Sequence, residues 1–362
     1  MMLNLSSVKL RNVHCSSSGF VECDIAYWMW RTVPFILIII GTFGNLISLI
    51  VLTRPVLRRY STSVYLIVLA VSDILVLYFV VLRETIYAIT GTRFADASWL
   101  SCKMTWWFAY SAAGCSVFML VLLTLERVLM VKTPMFLRNK LTPTNAFKTS
   151  SAVAIVVLVL NAHMLFGFDF YDSNKANVTF YSYVTEPDLT LYPCYYSSDK
   201  YRAFFIGPWS IILLTVYNIV PIIVISVGNM NIRNGLARRR RVVGIASLSD
   251  HQTSANPVSA NSSGSKPKDK SFTRILLVLS CFFLVTTLPY CVYVVVKNQM
   301  TLVTGRTFAR LQLLEVCIHC LMYSNFTFNF VFYFVGGTSF RKILKSYATK
   351  CKSKLNKCYK LQ

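Results

Sequence analysis

The chain has 362 residues, 55% hydrophobic and 14% charged, with a mean hydropathy of +0.54. Soluble domains carry about 25% charged residues, so this composition excludes an ordinary soluble fold and calls for helices bundled in lipid. The formal net charge of +23 raises nucleic acid as a partner, and only the placement of that charge excludes it.

A helix crosses a bilayer with about 20 apolar residues. In chain order, the stretches that meet or nearly meet this are 33–52, 64–86, 104–131, 152–168, 204–227, 272–296 and 311–334. The expected fold is therefore an all-α membrane protein. An extracellular segment, 1–31, leads into a seven-transmembrane helix bundle over 32–335, and 336–362 form a cytoplasmic tail. The first residues lack the n-region, h-region and cleavage site of a signal peptide, so the first span is expected to act as an uncleaved signal anchor.

The loops fall alternately on two sides. One side holds Arg54, Arg58, Arg59, Arg138, Lys140, Arg233, the arginines at 238–241 and the tail lysines. The other holds Glu22, Asp24, Asp96, Asp169, Asp172, Glu186, Asp188 and Asp199. The positive-inside bias places the N-terminus outside the plasma membrane and the C-terminus in the cytoplasm. The basic excess then faces anionic membrane lipids, and nucleic acid is set aside.

Within cytoplasmic loop 228–271, the arginines at 238–241 are expected on an extension of helix five, and 247–265 are predicted to be disordered. After the last span, Phe340, Ile343, Leu344 and Tyr347 share one helical face and Arg341, Lys342 and Lys345 the other. That pattern predicts a short amphipathic surface helix. Cys351 and Cys358 follow it, and palmitoylation or plain free thiols are both open. Cys15, Cys23, Cys102 and Cys194 lie on the oxidising side and are able to pair. Sequons at Asn4 and Asn177 are on that side too and are candidate glycosylation sites.

Polar residues inside spans are costly and mark function. Here they are Asn45, Asp73, Ser116, Asn325 and Asn329. A sodium ion or proton held at Asp73 and a bare hydrogen-bonded packing node are both consistent with them.

Further residues stand in a telling order. Gly44-Asn45, Leu69-Ala70-Val71-Ser72-Asp73, Cys102, Glu126-Arg127-Val128, Cys194, Pro221, Phe283, Pro289, Asn329-Phe330-Val331-Phe332-Tyr333 and Phe340 follow one another along the chain. This set resembles the rhodopsin-like family of G-protein-coupled receptors over residues 32–347. The Asn325-Phe326-Thr327-Phe328-Asn329-Phe330 run also looks like that of invertebrate neuropeptide receptors of the FMRFamide-receptor type.

The resemblance implies a disulfide between Cys102 and Cys194, and a second, local one between Cys15 and Cys23. It implies an activation switch in which Arg127 pairs with Glu126, reaches Asp269 and releases helix six. Phe283, Pro289, Asn329 and Tyr333 would complete that switch, and Pro221 and Pro289 would kink their helices. The plain alternative is an Arg127 that only snorkels to headgroups. A heterotrimeric G protein, arrestin and a receptor kinase are the implied partners. The chain also departs from the family: Thr287 stands where a Trp is usual, Phe330 where a Pro is, Asn229 and Val128 where Tyr is common, and span four lacks its typical Trp. The aromatic toggle of the family is therefore missing.

No lysine occurs in 311–333, which removes a retinal site, and Ala109 stands where amine receptors carry Asp. The outer ends of the spans carry Arg83, Glu84, Lys297, Glu315 and His319, with Tyr290, Tyr293 and Tyr323 beneath. Charges of both signs suit a zwitterionic or amidated peptide better than a lipid. The competing explanation is that Arg83–Glu84 and Glu315–His319 are merely structural pairs. The leading expectation is a neuropeptide-activated receptor that triggers nucleotide exchange on a G protein. The alternatives are an atypical binding or scaffolding protein without signalling, and a receptor for a lipid or small molecule. The four histidines are scattered, no nucleophile–base pair stands out, and neither an enzyme nor a cofactor beyond sodium is expected.

Overall fold

The computed structural model describes residues 19–132, 140–170, 194–249, 267–299, 305–337, 340–346 and 349, with the backbone alone at 239–240, 242–249, 267–275 and 297–299. Helix α1 (Val21–Leu52) is followed by α2 (Ser61–Thr90), α3 (Trp99–Lys132), α4 (Pro143–Gly167), α5 (Asp199–Arg238, helical onward to Ser249) and α6 (Pro267–Gln299). Each of these six includes a stretch long and apolar enough to cross a membrane. The seventh crossing is divided into α7 (Gly305–Thr327) and α8 (Asn329–Gly336). Residues 340–346 are helical beyond it. Two short strands, β1 (Phe168–Phe170) and β2 (Cys194–Tyr196), pair antiparallel, a small addition to the expected all-α architecture.

Hydropathy located the helices but not their ends. Helix α1 starts at Val21, well before residue 33, with Glu22 and Asp24 in its first turn where the helix dipole favours acids. Helix α5 runs to Ser249 and α6 begins at Pro267, so 247–249, expected in a disordered stretch, are helical. Backbone hydrogen bonding continues past the lipid because polar side chains do not disrupt it. Residues 250–266 lie outside the described residues.

Local sequence sets the caps and irregular turns. Thr142 accepts from the Asn145 amide at 3.2 Å and Pro143 follows at the first helical position of α4. Gly91 closes α2 in the left-handed conformation, φ 74°, where a side chain would be strained. Helix α5 has wide π-turns at Phe205–Trp209, around Pro208, and at Thr215–Ile219, just ahead of Pro221. Side chains recover carbonyls there: Ser210 Oγ donates to Phe205 O at 2.7 Å and Asn218 Nδ2 to Leu213 O at 3.3 Å. Pro289 lies inside α6 and has no N–H for the carbonyl one turn back. The seventh crossing breaks at Phe328 with no proline at the break.

Packing follows membrane logic. Large apolar side chains such as Phe35, Phe43, Ile155, Val159, Ile211, Val285 and Val335 point outward to lipid. Lipid removes the water-driven force between helices, so close contact and internal polar links hold the bundle. Gly44 shows the close contact: a Cβ there would lie 2.9 Å from Phe330 Cβ. An inner core gathers Leu69, Leu120, Leu123, Leu279, Phe283, Tyr333 and Phe340. Phe340 is buried and Ile343 and Leu344 pack on that core, so the surface helix docks by its expected apolar face. An outer core holds Trp30, Val80, Tyr290 and Tyr323. A third, under the hairpin, holds Trp106, Tyr110, Phe168, Tyr196, Phe205 and Trp209.

Candidate functional site

The polar residues fall on three levels. At the outer face, Cys102 of α3 is bonded to Cys194 of β2. A second tie holds the same strand. Arg93 pairs with Asp96 through two bonds of 2.7 Å, Arg93 Nη2 donates to the Cys194 carbonyl at 2.8 Å, and the Cys194 amide donates to Asp96 Oδ1 at 3.1 Å. Phe168 of β1 stacks on Trp106 at 4.9 Å, so the hairpin roofs the outer half of the bundle. Burial pushes the Tyr196 phenol up. Cys23 is buried and disulfide-bonded; Cys15 lies outside the described residues, as do Asn4 and Asn177.

Below the roof, Arg83 and Glu84 of α2 form a buried pair, with Nη2 2.8 Å and Nε 3.2 Å from Oε1. The guanidinium carbon lies 4.5 Å from the Trp106 ring. His319 of α7 is surrounded by rings: Trp30 at 5.3 Å, Tyr290 at 5.4 Å, Tyr323 at 6.0 Å and Tyr293 at 6.3 Å. The expected Glu315–His319 pairing takes another form: His319 Nδ1 bonds the Glu315 backbone carbonyl at 2.8 Å, and both residues are buried. The side chain of Lys297 is outside the described residues.

At mid-depth, Asp73 is fully buried and joins three helices. Ser116 Oγ of α3 donates to Oδ1 at 2.6 Å, and Asn329 Nδ2 of α8 donates to Oδ2 at 2.5 Å. Asn45 serves another link, donating to Phe326 O at 2.9 Å, and Asn325 is buried without a hydrogen bond to Asp73. Those two residues are therefore neighbours of the Asp73 cluster and not members of its hydrogen-bond shell. The side-chain oxygens of Asn45 and Asn329 are buried and accept no hydrogen bond.

At the inner end, Glu126 and Arg127 are both buried but stand 4.0 Å apart, at the limit of an ion pair. Thr62 of α2 bridges them. Its hydroxyl donates to Glu126 Oε1 at 2.7 Å and accepts from Arg127 Nη2. Burial of Arg127 rules out simple snorkelling to headgroups. Helix α6 carries Asp269, whose side chain is outside the described residues. Phe283 and Tyr333 pack in the inner core, and Asn229, one of the departures, has both polar atoms buried without a partner. Cys351 and Cys358 are outside the described residues. Among the described residues no group of His, Cys, Asp and Glu is arranged to hold a metal.

Residues 44–333 match the family model of the 7 transmembrane receptor (rhodopsin family). The chain belongs to that family. It is thus a multi-pass membrane receptor and not an enzyme. The receptor is 23% identical to galanin receptor 2b of Danio rerio over 334 residues, 92% of this chain and 78% of that one. It is 25% identical to galanin receptor type 2 of Homo sapiens over 313 residues, 85% and 69% of the two chains. It is 26% identical to the FMRFamide peptide receptor frpr-18 of Caenorhabditis elegans over 202 residues, 54% and 43%.

Sequence patterns missed Thr62, Trp106, Arg93 and the receptor's Asp96–Cys194 contact. A lone threonine near a helix end carries no signal of its own. The Arg93/Asp96 spacing of three was the one hint available for the outer tie. Thr62→Val should lower the receptor's stability by about 1.5–3 kcal/mol, since both lost bonds involve charged groups. Combined with Glu126→Gln, the loss should be smaller than the sum, because the two changes remove one shared network. Thermal inactivation midpoints of the four proteins in the cycle check this, and strict additivity would refute it.

Proposed function

We propose that this receptor binds a short extracellular peptide and in response triggers nucleotide exchange on a heterotrimeric G protein. In this proposal its N-terminus lies outside the plasma membrane and its C-terminus in the cytoplasm, where arrestin, a receptor kinase and anionic lipids are further partners. The observation that carries it is the outer polar cluster. Arg83, Glu84 and Glu315 are buried among Trp106, Tyr290, His319 and Tyr323, an interior built for a ligand with polar and aromatic parts. The names of the galanin and FMRFamide relatives support a peptide over a lipid. The Thr62–Glu126–Arg127 chain supplies an inner polar lock whose breakage would accompany coupling. Asp73 is proposed to hold a sodium ion or a proton. The oxygen-rich donors Asp73, Ser116, Asn45 and Asn329 fit a hard cation, and a bound sodium would supply the positive charge that Asp73 lacks.

The test is a panel of neuropeptides and lipids on cells expressing the receptor, read with several G-protein sensors. Glu84→Lys and Glu315→Lys should each weaken a basic peptide agonist about 10- to 100-fold, the cost of opposing a buried like charge. Unchanged potency in both, at normal surface expression, or activation by lipids alone, would sink the peptide assignment.

A further inference from the structure

The Arg83–Glu84 pair is unfinished on both sides. Glu84 Oε1 takes both guanidinium bonds, and Oε2 takes no hydrogen bond among the described residues. Arg83 Nη1 is buried with no acceptor. So is Nε1 of Trp106, the residue whose ring lies 4.5 Å from the guanidinium carbon. Arg83 is 7% exposed and Trp106 6%. Buried donors almost always have acceptors, so two orphans side by side point to an acceptor brought from elsewhere.

We propose that this corner is a subsite for a neutral primary carboxamide, such as the amidated C-terminus of a peptide; the proposal rests on the peptide-receptor assignment above. A carboxamide has a carbonyl oxygen to accept from Arg83 Nη1 and Trp106 Nε1. Its NH2 donates to Glu84 Oε2. One small neutral group thus meets every unmet atom of the pair. A free carboxylate offers acceptors only. Glu84 already balances Arg83, so a carboxylate would leave a surplus negative charge in a water-poor interior. An ammonium or guanidinium group offers donors only and would oppose the orphan donors. Tyr290 and Tyr323 lie in the same outer core and offer rings for the terminal side chain.

The experiment uses the full chain in lipid nanodiscs. A pool of peptides of mixed sequence is synthesised twice, once with C-terminal carboxamides and once with free carboxylates. Retained peptide is measured by mass spectrometry and nucleotide exchange is followed in parallel. The amides should be retained about tenfold or more over the matched acids, the ratio expected when a charged group is mismatched in a buried site. Glu84→Gln removes the balancing charge from Arg83, so the preference should shrink or reverse toward the acids. Trp106→Phe keeps the ring and deletes the N–H, and should cut amide retention several-fold if Glu84→Gln fails to reach the membrane. Equal retention of both pools, or an acid preference in the unaltered receptor, overturns the carboxamide subsite and leaves peptide binding standing. Retention of neither pool overturns both.

Discussion

Asp73→Ala should destabilise the receptor by about 2–6 kcal/mol, whereas Asp73→Asn should cost about 1 kcal/mol or less. Alanine leaves the Ser116 hydroxyl and the Asn329 amide as buried donors with no acceptor, and α2, α3 and α8 lose their common tie. Each such donor costs about 1–3 kcal/mol. Asparagine keeps the shape, and its carbonyl still accepts from Ser116. Its NH2 then faces Asn329, whose orphaned Oδ1 takes that bond once the amide turns. The two variants therefore separate structure from charge. If Asp73 holds sodium, exchanging sodium for choline should shift the thermal midpoint and agonist affinity of the unaltered receptor. That shift should vanish in Asp73→Asn. An alanine variant as stable as the parent would remove Asp73 as the tie. A salt response that persists in the asparagine variant would remove it as the ion site.

The second large effect lies at the roof. Cys194→Ser opens a loop whose ends are 92 residues apart, worth about 4–5 kcal/mol in the chain-entropy account. Helices already confined to the membrane restrict the unfolded chain, so the expected loss is about 2–4 kcal/mol. The strand should nevertheless stay in place, because Arg93 and Asp96 hold the amide and carbonyl of residue 194. Asp96→Asn alone weakens that clasp but leaves the covalent bond. Together the two changes cut the covalent bond and weaken the clasp, leaving the Arg93 bond to the residue 194 carbonyl and the pairing with β1. The double variant should lose more than the sum of the single losses, and its surface expression should collapse. Surface staining of an N-terminal tag and thermal midpoints measure both effects. Simple additivity would show that the ties act independently.

These expectations divide according to what was readable beforehand. Seven apolar stretches, the basic side, the disulfide cysteines and Asp73 with Ser116 and Asn329 were legible in the chain. They follow from local composition, from the cost of polar groups in lipid and from resemblance. Helix ends were not legible, because hydropathy reports lipid contact and not backbone hydrogen bonding. Asn325 and Asn329 looked equivalent. The break at Phe328 re-aims the chain between them, so only Asn329 bonds Asp73.

Other features needed tertiary structure from the start. Neighbours one residue apart on a helix normally point in different directions, so spacing alone left Arg83 and Glu84 open between ligand contacts and a structural pair. Their pairing follows a π-turn at Leu77–Leu82 and burial against Trp106. Thr62 acquires its place only because α2 packs beside α3. The sequence by itself determined that this chain crosses the membrane seven times and which polar residues enter the bilayer. Only the tertiary structure decided which of them meet, because hydrogen bonds span a few ångströms while hydropathy averages over a whole helix.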